Sequence, residues 1–472
     1  MKRFIFLMFL LFGLTAQAAP LNDETPNILV IVADDLGFTD LDVYGGEIGT
    51  PNINKLAESG LMFTNFYTSP VCSATRVNLL TGVNHHIGGV GNQGFLLRQN
   101  PNQFGRPGYE GYMNFRVATI AEILSDAGFN TYMTGKWHLG TTKETIPHAR
   151  GFDRSLSMLL GGASHFDMSS LYGPENAKYS EDGDFLEELP EDFYSTRFFT
   201  DKLIEYIEEG REDQKPFFAY LSYTAVHYPL QAPEKSIQKY KGRYDEGYDA
   251  LFRERLQRMA KLGLINETIT PSAGRPGLPA WDSLSEEEKQ YESRKMEIYA
   301  AMVSDIDHYV GKLIAYLKTI DEYENTIILF MSDNGAEGHI LERDIPELFT
   351  WIKECCDNSL ENIGNKGSYV ATGPGWARAS TGPFRMYKGF TSEGGIKAPA
   401  ILHYPNLKTE KPRETRIFTD LDVFPTLLEL VNVSHPGRHF NDRYIEPLQG
   451  RSIVDYLNDS GELPEVVHGW EM

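Results

Sequence analysis

The run Asn27-Ile28-Leu29-Val30-Ile31-Val32 carries no polar side chain after its first residue and is rich in β-branched ones. A strand with one face in water would alternate. A continuous run suits a strand covered on both faces, as in a parallel sheet flanked by helices. Thr326 to Met331 is again a buried-strand run, Phe129 to Met133 and Phe217 to Tyr223 read as further strands, and Leu61 to Thr68 and Ala400 to Leu402 are strand-like. Helical spacing lies between them. Pro51 to Glu58 has Pro at its start and Gly60 just past its end. Val117 to Ala127 stops at Gly128. Ser283-Leu284-Ser285-Glu286 reads as a capping box. It opens a helix through about Thr319 with Met296, Tyr299, Met302, Val303 and Ile306 on one stripe. This alternation predicts an α/β fold, with a mostly parallel central sheet flanked by helices.

The 472 residues are enough for one large core or two moderate ones. A net charge of −22 argues against a general nucleic-acid or anionic-membrane binder. An anionic substrate would need local positive charge. Lys2 and Arg3, the apolar Phe4 to Leu14 and Ala16-Gln17-Ala18 make Met1–Ala19 read as a signal peptide, too short to span a bilayer. The expected location is therefore the periplasm or the exterior, and no later stretch reads as a membrane span. Cys355 and Cys356 are adjacent, with Cα atoms about 3.8 Å apart, closer than disulfides usually require. A bridge from Cys72 to either would leave an odd thiol, which in an exported chain points to reactivity or modification. The stretches 161–195 and 339–382 lack periodicity and read as excursions over the sheet. Tyr240 to Trp281 reads as a polar insertion with one helix.

Asp34, Asp35, Lys136, His138, His227, Asp333 and Asn334 each follow an apolar strand. Open α/β sheets bind ligands beyond the carboxyl ends of their strands, so these scattered residues can share one cleft. Asp34, Asp35, Asp333 and Asn334 form an all-oxygen set that suits Ca²⁺ or Mg²⁺. The same residue types also serve as caps and turns, the commoner use of an isolated Asp-Asp pair. Lys136 and His138 would share a face if the chain stays extended there. Lys388 sits among glycines and aromatics, where it could point into a cleft. Cys72 opens a helix-like run, where free N–H groups and the helix dipole favour an anion, and Arg76 follows one turn later. On these residues alone, an inert buried cysteine and a reactive one fit equally well.

Cys72-Ser73-Ala74-Thr75-Arg76 with Leu79-Leu80-Thr81-Gly82 resembles the signature of the formylglycine-dependent sulfatases. So do Ala33-Asp34-Asp35-Leu36-Gly37, Gly135 to Gly140 and Ser332-Asp333-Asn334-Gly335. Within that family the resemblance is to the bacterial calcium-dependent arylsulfatases. The usual signature has Pro where this chain has Ala74, a change that some members share. The resemblance implies the alkaline-phosphatase-like sulfatase fold, with a C-terminal subdomain that this sequence would truncate. It implies a formylglycine made from Cys72 by a maturation enzyme, its hydrate acting as nucleophile. One Ca²⁺ would be held by Asp34, Asp35, Asp333, Asn334 and the modified Cys72. Arg76 would stabilise the hydrate, and Lys136 and Lys388 would grip the sulfate. His227, with Lys388, would protonate the leaving alcohol, and His138 would take a proton from the hydrate.

The expected organisation is a signal peptide over 1–19, a catalytic domain over 20–435 and a connection into the subdomain over 436–472. The expected activity is an arylsulfatase acting on small sulfate esters, as a monomer with no nucleic-acid partner. A phosphate or phosphonate ester hydrolase of the same superfamily is the enzyme alternative. An inactive sulfated-ligand binder is the alternative if Cys72 stays a thiol.

Overall fold

The computed structural model describes residues 24–272, 274–407, 412–458, 461–463 and 465–471. The expected signal peptide Met1–Ala19 lies outside them. The strands are β1 (Asn27–Ala33), β2 (Leu61–Tyr67), β3 (Asn130–Lys136), β4 (Arg154–Met158), β5 (Tyr179–Glu181), β6 (Asp184–Phe185), β7 (Phe217–Ser222), β8 (Thr326–Ser332), β9 (Lys397–His403), β10 (Arg413–Glu414) and β11 (Phe418–Thr419). They form one sheet in the order β10-β2-β9-β8-β1-β7-β3-β4-β5-β6, with β11 also on β2. β1 lies between β8 and β7, parallel to both, so Val30 stands opposite Leu329 and Tyr220. β9 runs antiparallel to its neighbours β8 and β2. The fold is thus the predicted α/β arrangement, with a mixed, mostly parallel sheet.

The central strands are apolar on both faces because helices cover both. From β1, Leu29, Ile31 and Ala33 join a core with Met296, Tyr299 and Met302 of the helix Glu286–Thr319, and with Phe199 and Leu203 of the helix Ser195–Gly210. The alternate residues Ile28, Val30 and Val32 pack with Val77 and Leu80 of the helix Cys72–Thr81 and with Phe424 and Leu427 of the helix Asp420–Leu430. Each of the Val, Leu, Ile, Phe and Met side chains among them contributes about 1.5–3 kcal/mol by leaving water.

Several local expectations shift. The capping box is Ser285 with Glu288, two residues later than expected. Ser283 instead lies in a short 3₁₀ turn, where its hydroxyl donates to the Ala280 carbonyl. The helix expected over Val117 to Ala127 begins at Ile120, because Thr119 caps it with Glu122. The stretch 339–382, expected to be irregular, contains the helices Pro346–Cys355 and Pro374–Thr381. Cys355 and Cys356 are bonded to each other, with Cα atoms 3.7 Å apart, and not to Cys72. Adjacency therefore did not prevent pairing, and Cys72 is a free, buried thiol. Beyond residue 435, β12 (His439–Phe440) and β13 (Arg443–Tyr444) form a small hairpin, while Ile445, Ile453 and Leu457 pack onto the same core as Phe424. Among the described residues, no helix is long and apolar enough to cross a membrane.

Asp420 opens its helix and braces the approach to Cys72. Its Oδ2 accepts from Ser69 N at 3.2 Å and Asn78 Nδ2 at 3.1 Å. Burial pushes this carboxyl up to about 7. A raised folded value means stability that is complete below the unfolded value near 4 and lost as pH rises through 7. Asp420→Asn, which cannot ionise, should therefore gain stability relative to the parent between pH 4 and 7. The gain should approach about 4 kcal/mol as an upper bound. Urea melts at pH 4.5 and pH 8 check this; a difference that does not change with pH would contradict it.

Candidate active site

Because β1, β3, β7 and β8 are parallel, their carboxyl ends lie along one edge of the sheet. β2 runs the same way, since the strand between it and β8 is reversed. The residues after these strands, Asp34, Asp35, Cys72, His227, Asp333 and Asn334, therefore reach one edge, with Lys136 closing β3. β9 starts at that edge, so the loop before it delivers Lys388. All of these side chains are buried, Cys72 at 1% exposure.

Cys72 is the first residue of its helix, with Val71 as the cap. Its Sγ lies 3.2 Å from His138 Nδ1. Lys136 Nζ donates to Asp34 Oδ2 at 2.6 Å, and Lys388 Nζ donates to Asp35 Oδ2 at 2.8 Å. His227 Nε2 stands 3.6 Å from Asp35 Oδ2. Arg76 points to Asp333 Oδ2, donating from Nη2 at 2.7 Å and from Nε at 3.1 Å. Its Nη1 donates to Lys136 O at 2.9 Å and also to Ser222 Oγ. Its donors are thus spent on the carboxylate set and the strand ends.

Lys136 and His138 do reach one site, but not by an extended chain. His138 has a φ of 61°, and so the backbone turns there. Asp35 has a φ of 65°. Such left-handed conformations at non-glycine residues need support from their surroundings. Gly135 is required for a related reason. Its φ is 107°, and a Cβ there would run into Ser222 O, beside the seat of Arg76.

Burial raises the carboxyls of Asp34 and Asp35, and the lysines beside them do not fully offset it. Burial also raises Asp333, but Arg76, Lys136 and Lys388 outweigh it and hold that carboxyl below the usual range. Burial works against both charged lysines. Asp34 for Lys136 and Asp35 for Lys388 overcome it, so both ammonium groups are held above their ordinary range. His138 and His227 are pushed well down, by burial first and by the lysines next. Burial likewise raises the Cys72 thiol, which keeps it protonated at neutral pH. An unmodified Cys72 is a weak nucleophile.

The carboxylate set keeps oxygens that a cation could take. Asp34 Oδ1 and Asn334 Oδ1 are buried without a hydrogen-bond partner, an expensive state for polar oxygens. Ligand atoms of Asp34, Cys72 and Asp333 lie within 4.8 Å of one another. Oxygen donors of this kind suit a hard divalent ion such as Ca²⁺.

Sequence reasoning missed several neighbours. Glu337 Oε2 lies 3.4 Å from Lys388 Nζ. Burial would raise Glu337, but His339 and then Lys388 outweigh it and hold it at about 2. Its place two residues past Gly335 was the available signal. His165 Nε2 donates to the His227 carbonyl at 3.0 Å while Nδ1 faces Ser195 Oγ at 2.7 Å. It comes from the aperiodic stretch 161–195, which carried no signal. Tyr228 stacks on His227 with ring centres 4.3 Å apart.

The family profile described as Sulfatase matches residues 26–433. An uncharacterised sulfatase of Schizosaccharomyces pombe is 46% identical over 450 residues, covering 92% of this chain and 80% of that protein. An arylsulfatase of Klebsiella aerogenes is 36% identical over 447 residues, covering 93% of this chain and 94% of its own length. The solved structure of Ps i-CgsB with k-i-k-neocarrahexaose superposes with a TM-score of 0.62 at 25% identity, over 92% of this chain and 77% of that one. With a fold, a site edge and relatives that agree, this chain belongs to the sulfatase family.

Proposed function

We propose that this chain hydrolyses sulfate monoesters, aryl sulfates among them, using a formylglycine made from Cys72 and one Ca²⁺. The observation that carries the reading is the convergence of Cys72 with Asp34, Asp333, two lysines and two histidines at one sheet edge. Asp34, Asp35, Asp333, Asn334 and the converted Cys72 would hold the ion. It would supply Lewis-acid polarisation of a sulfate oxygen, and the aldehyde hydrate would supply a nucleophilic oxygen.

The chain's own residues do the rest. Lys136 and Lys388 bind the sulfate oxygens, leaving their carboxylate partners for the ion, and so place positive charge where the transition state gains negative charge. Arg76 holds Asp333 ionised and fixes the ends of β3 and β7. His227 donates Nδ1–H to the Tyr228 carbonyl at 2.7 Å, which turns Nε2 toward the site. An anionic ester there offsets the lysines and favours the protonated ring. That proton, or one from Lys388, goes to the leaving oxygen. His138, in contact with the position of Cys72, takes a proton from the group that replaces the thiol. Burial of these groups excludes bulk water and strengthens each interaction.

Mass spectrometry of the Cys72 peptide from active protein tests the reading. Replacement of CH₂SH by CHO should lower the peptide mass by about 18 Da. Active protein with an unshifted mass would exclude the formylglycine mechanism.

A further inference from the structure

We infer that Glu337 is a positioning residue for Lys388: it gives that ammonium an anchor away from the ion, so Lys388 can release Asp35 and still face the ester. This rests on the sulfate-ester reading above, which assigns Asp35 to the ion and Lys388 to the sulfate and the leaving oxygen. In the structure Lys388 Nζ stands between two carboxylates, with Asp35 Oδ2 at 2.8 Å and Glu337 Oε2 at 3.4 Å. The first is a charge-assisted hydrogen bond at full strength; the second is longer and has room to tighten. An ion bound to Asp35 competes with the ammonium for the same oxygen. The ammonium that gives way is buried, and a buried charge without a partner is costly. Glu337 is the anion that remains for it. Among the described residues, Lys136 is within ion-pair distance of Asp34 alone, so one lysine of the two has this second anchor.

Glu337 is held in place by its surroundings. It is buried, and its Oε1 accepts from His339 N at 2.7 Å and from Nδ1 of the same ring, which leaves Oε2 toward Lys388. Lys388 N donates to Ala336 O at 3.1 Å, so the two segments are tied together one residue before Glu337. A Cβ on Gly338 would lie 2.7 Å from the Tyr387 ring and 2.8 Å from Ala377 Cβ. The chain after Glu337 is therefore pressed against the residue before Lys388. Arg275 Nη1 fixes Tyr387 in turn, donating to its hydroxyl at 2.7 Å and to Asp344 Oδ2 at 2.8 Å. Carboxylate and ammonium meet through a packed frame, unlike two free side chains at a surface.

His339 limits the reach of the Glu337 charge. Burial works against a charged His339 ring, but Glu337 outweighs it and holds the ring above its ordinary range. Ring and carboxylate then largely cancel at a distance. Replacing the carboxylate by an amide also releases the proton of the ring, so the net charge of the pair changes little. Glu337 thus acts on the ion chiefly through the group it touches, the Lys388 ammonium.

Ca²⁺ binding by calorimetry tests this, with Glu337→Gln made both in the parent and in Lys388→Met. In the parent, Glu337→Gln should raise the Ca²⁺ dissociation constant by about tenfold or more, because the ion must then displace an ammonium that has no other anion. In Lys388→Met the same change should alter it by less than about threefold. At saturating Ca²⁺, Glu337→Gln should lower kcat on phenyl sulfate by about tenfold and change KM little, since the bound sulfate itself holds the ammonium in the ground state. Glu337→Asp, which keeps the charge but draws it back from Lys388, is read in the same way if the amide variant does not fold. Unchanged Ca²⁺ affinity, an equal loss without Lys388, an effect on KM alone, or a parent that binds no Ca²⁺ would each overturn the assignment. If no sulfate ester turns over yet Glu337 alters Ca²⁺ affinity only where Lys388 is present, the catalytic reading fails and the anchor stands. If phenyl sulfate turns over and that coupling is absent, the anchor fails and catalysis stands.

Discussion

Cys72→Ala should lower sulfate release by roughly a thousandfold or more while the melting temperature stays close to that of the parent. The two halves of this expectation have different physical bases. In the proposed reaction, turnover depends on a group at position 72 that bonds to the ester's sulfur, and alanine offers none. Electrostatic stabilisation alone leaves only a residual rate. Stability, by contrast, loses little when a small buried side chain is shortened by one atom, and the sulfur's contact with His138 at 3.2 Å is one weak hydrogen bond. Initial rates on an aryl sulfate, paired with a thermal melt, check both halves. Activity within tenfold of the parent would remove Cys72 from the reaction. Loss of activity with an equally collapsed melt would mean a folding defect and leave the role unproven, so Cys72→Ser, which keeps a polar atom, is measured beside it.

Removing the divalent ion should cut activity by a comparable amount and lower stability as well. Asp34 and Asp35 are pushed toward protonation by burial that the lysines do not fully offset. Asp34 Oδ1 and Asn334 Oδ1 lack hydrogen-bond partners, with Arg76 Nη2 3.8 Å from Asp34 Oδ1. A bound dication answers both deficits at once. An ion present at a hundred times its dissociation constant stabilises the folded chain by about 2.7 kcal/mol, and chelation should remove this increment. Asp34→Ala should reproduce the activity loss and make the melting temperature insensitive to added Ca²⁺. Metal analysis of dialysed protein and melts with and without chelator check the prediction. A chain that keeps full activity and an unchanged melt after its metal content has fallen to zero would refute the site.

The sheet was legible because its central strands are covered on both faces, which forces continuous apolar runs such as Ile28 to Val32. Asp34, Asp333 and Asn334 were legible as a group because a parallel sheet sends the residues after its strands to one edge. Cys72 was different. Its position at a helix start suited both an inert and a reactive thiol, and the family resemblance supplied the choice. The turn at His138 was not legible, since a left-handed residue in the middle of a Gly-Lys-Trp-His segment has no propensity signal. The helix Pro346–Cys355 was masked by the aperiodic sequence around it. Glu337 and His165 come from loops, whose placement depends on tertiary packing and not on local pattern.

The reversed direction of β9 has a consequence for synthesis. β2, which leads to Cys72, and β8, which leads to Asp333, are not neighbours; β9 stands between them and is made after both. A ribosome adding about 5–20 residues per second therefore needs tens of seconds between releasing the Cys72 segment and the strand that locks it against the carboxylates. During that interval no sheet bond links the strand before Cys72 to the strand before Asp333, so the segment that carries the thiol is not yet fixed against the carboxylates.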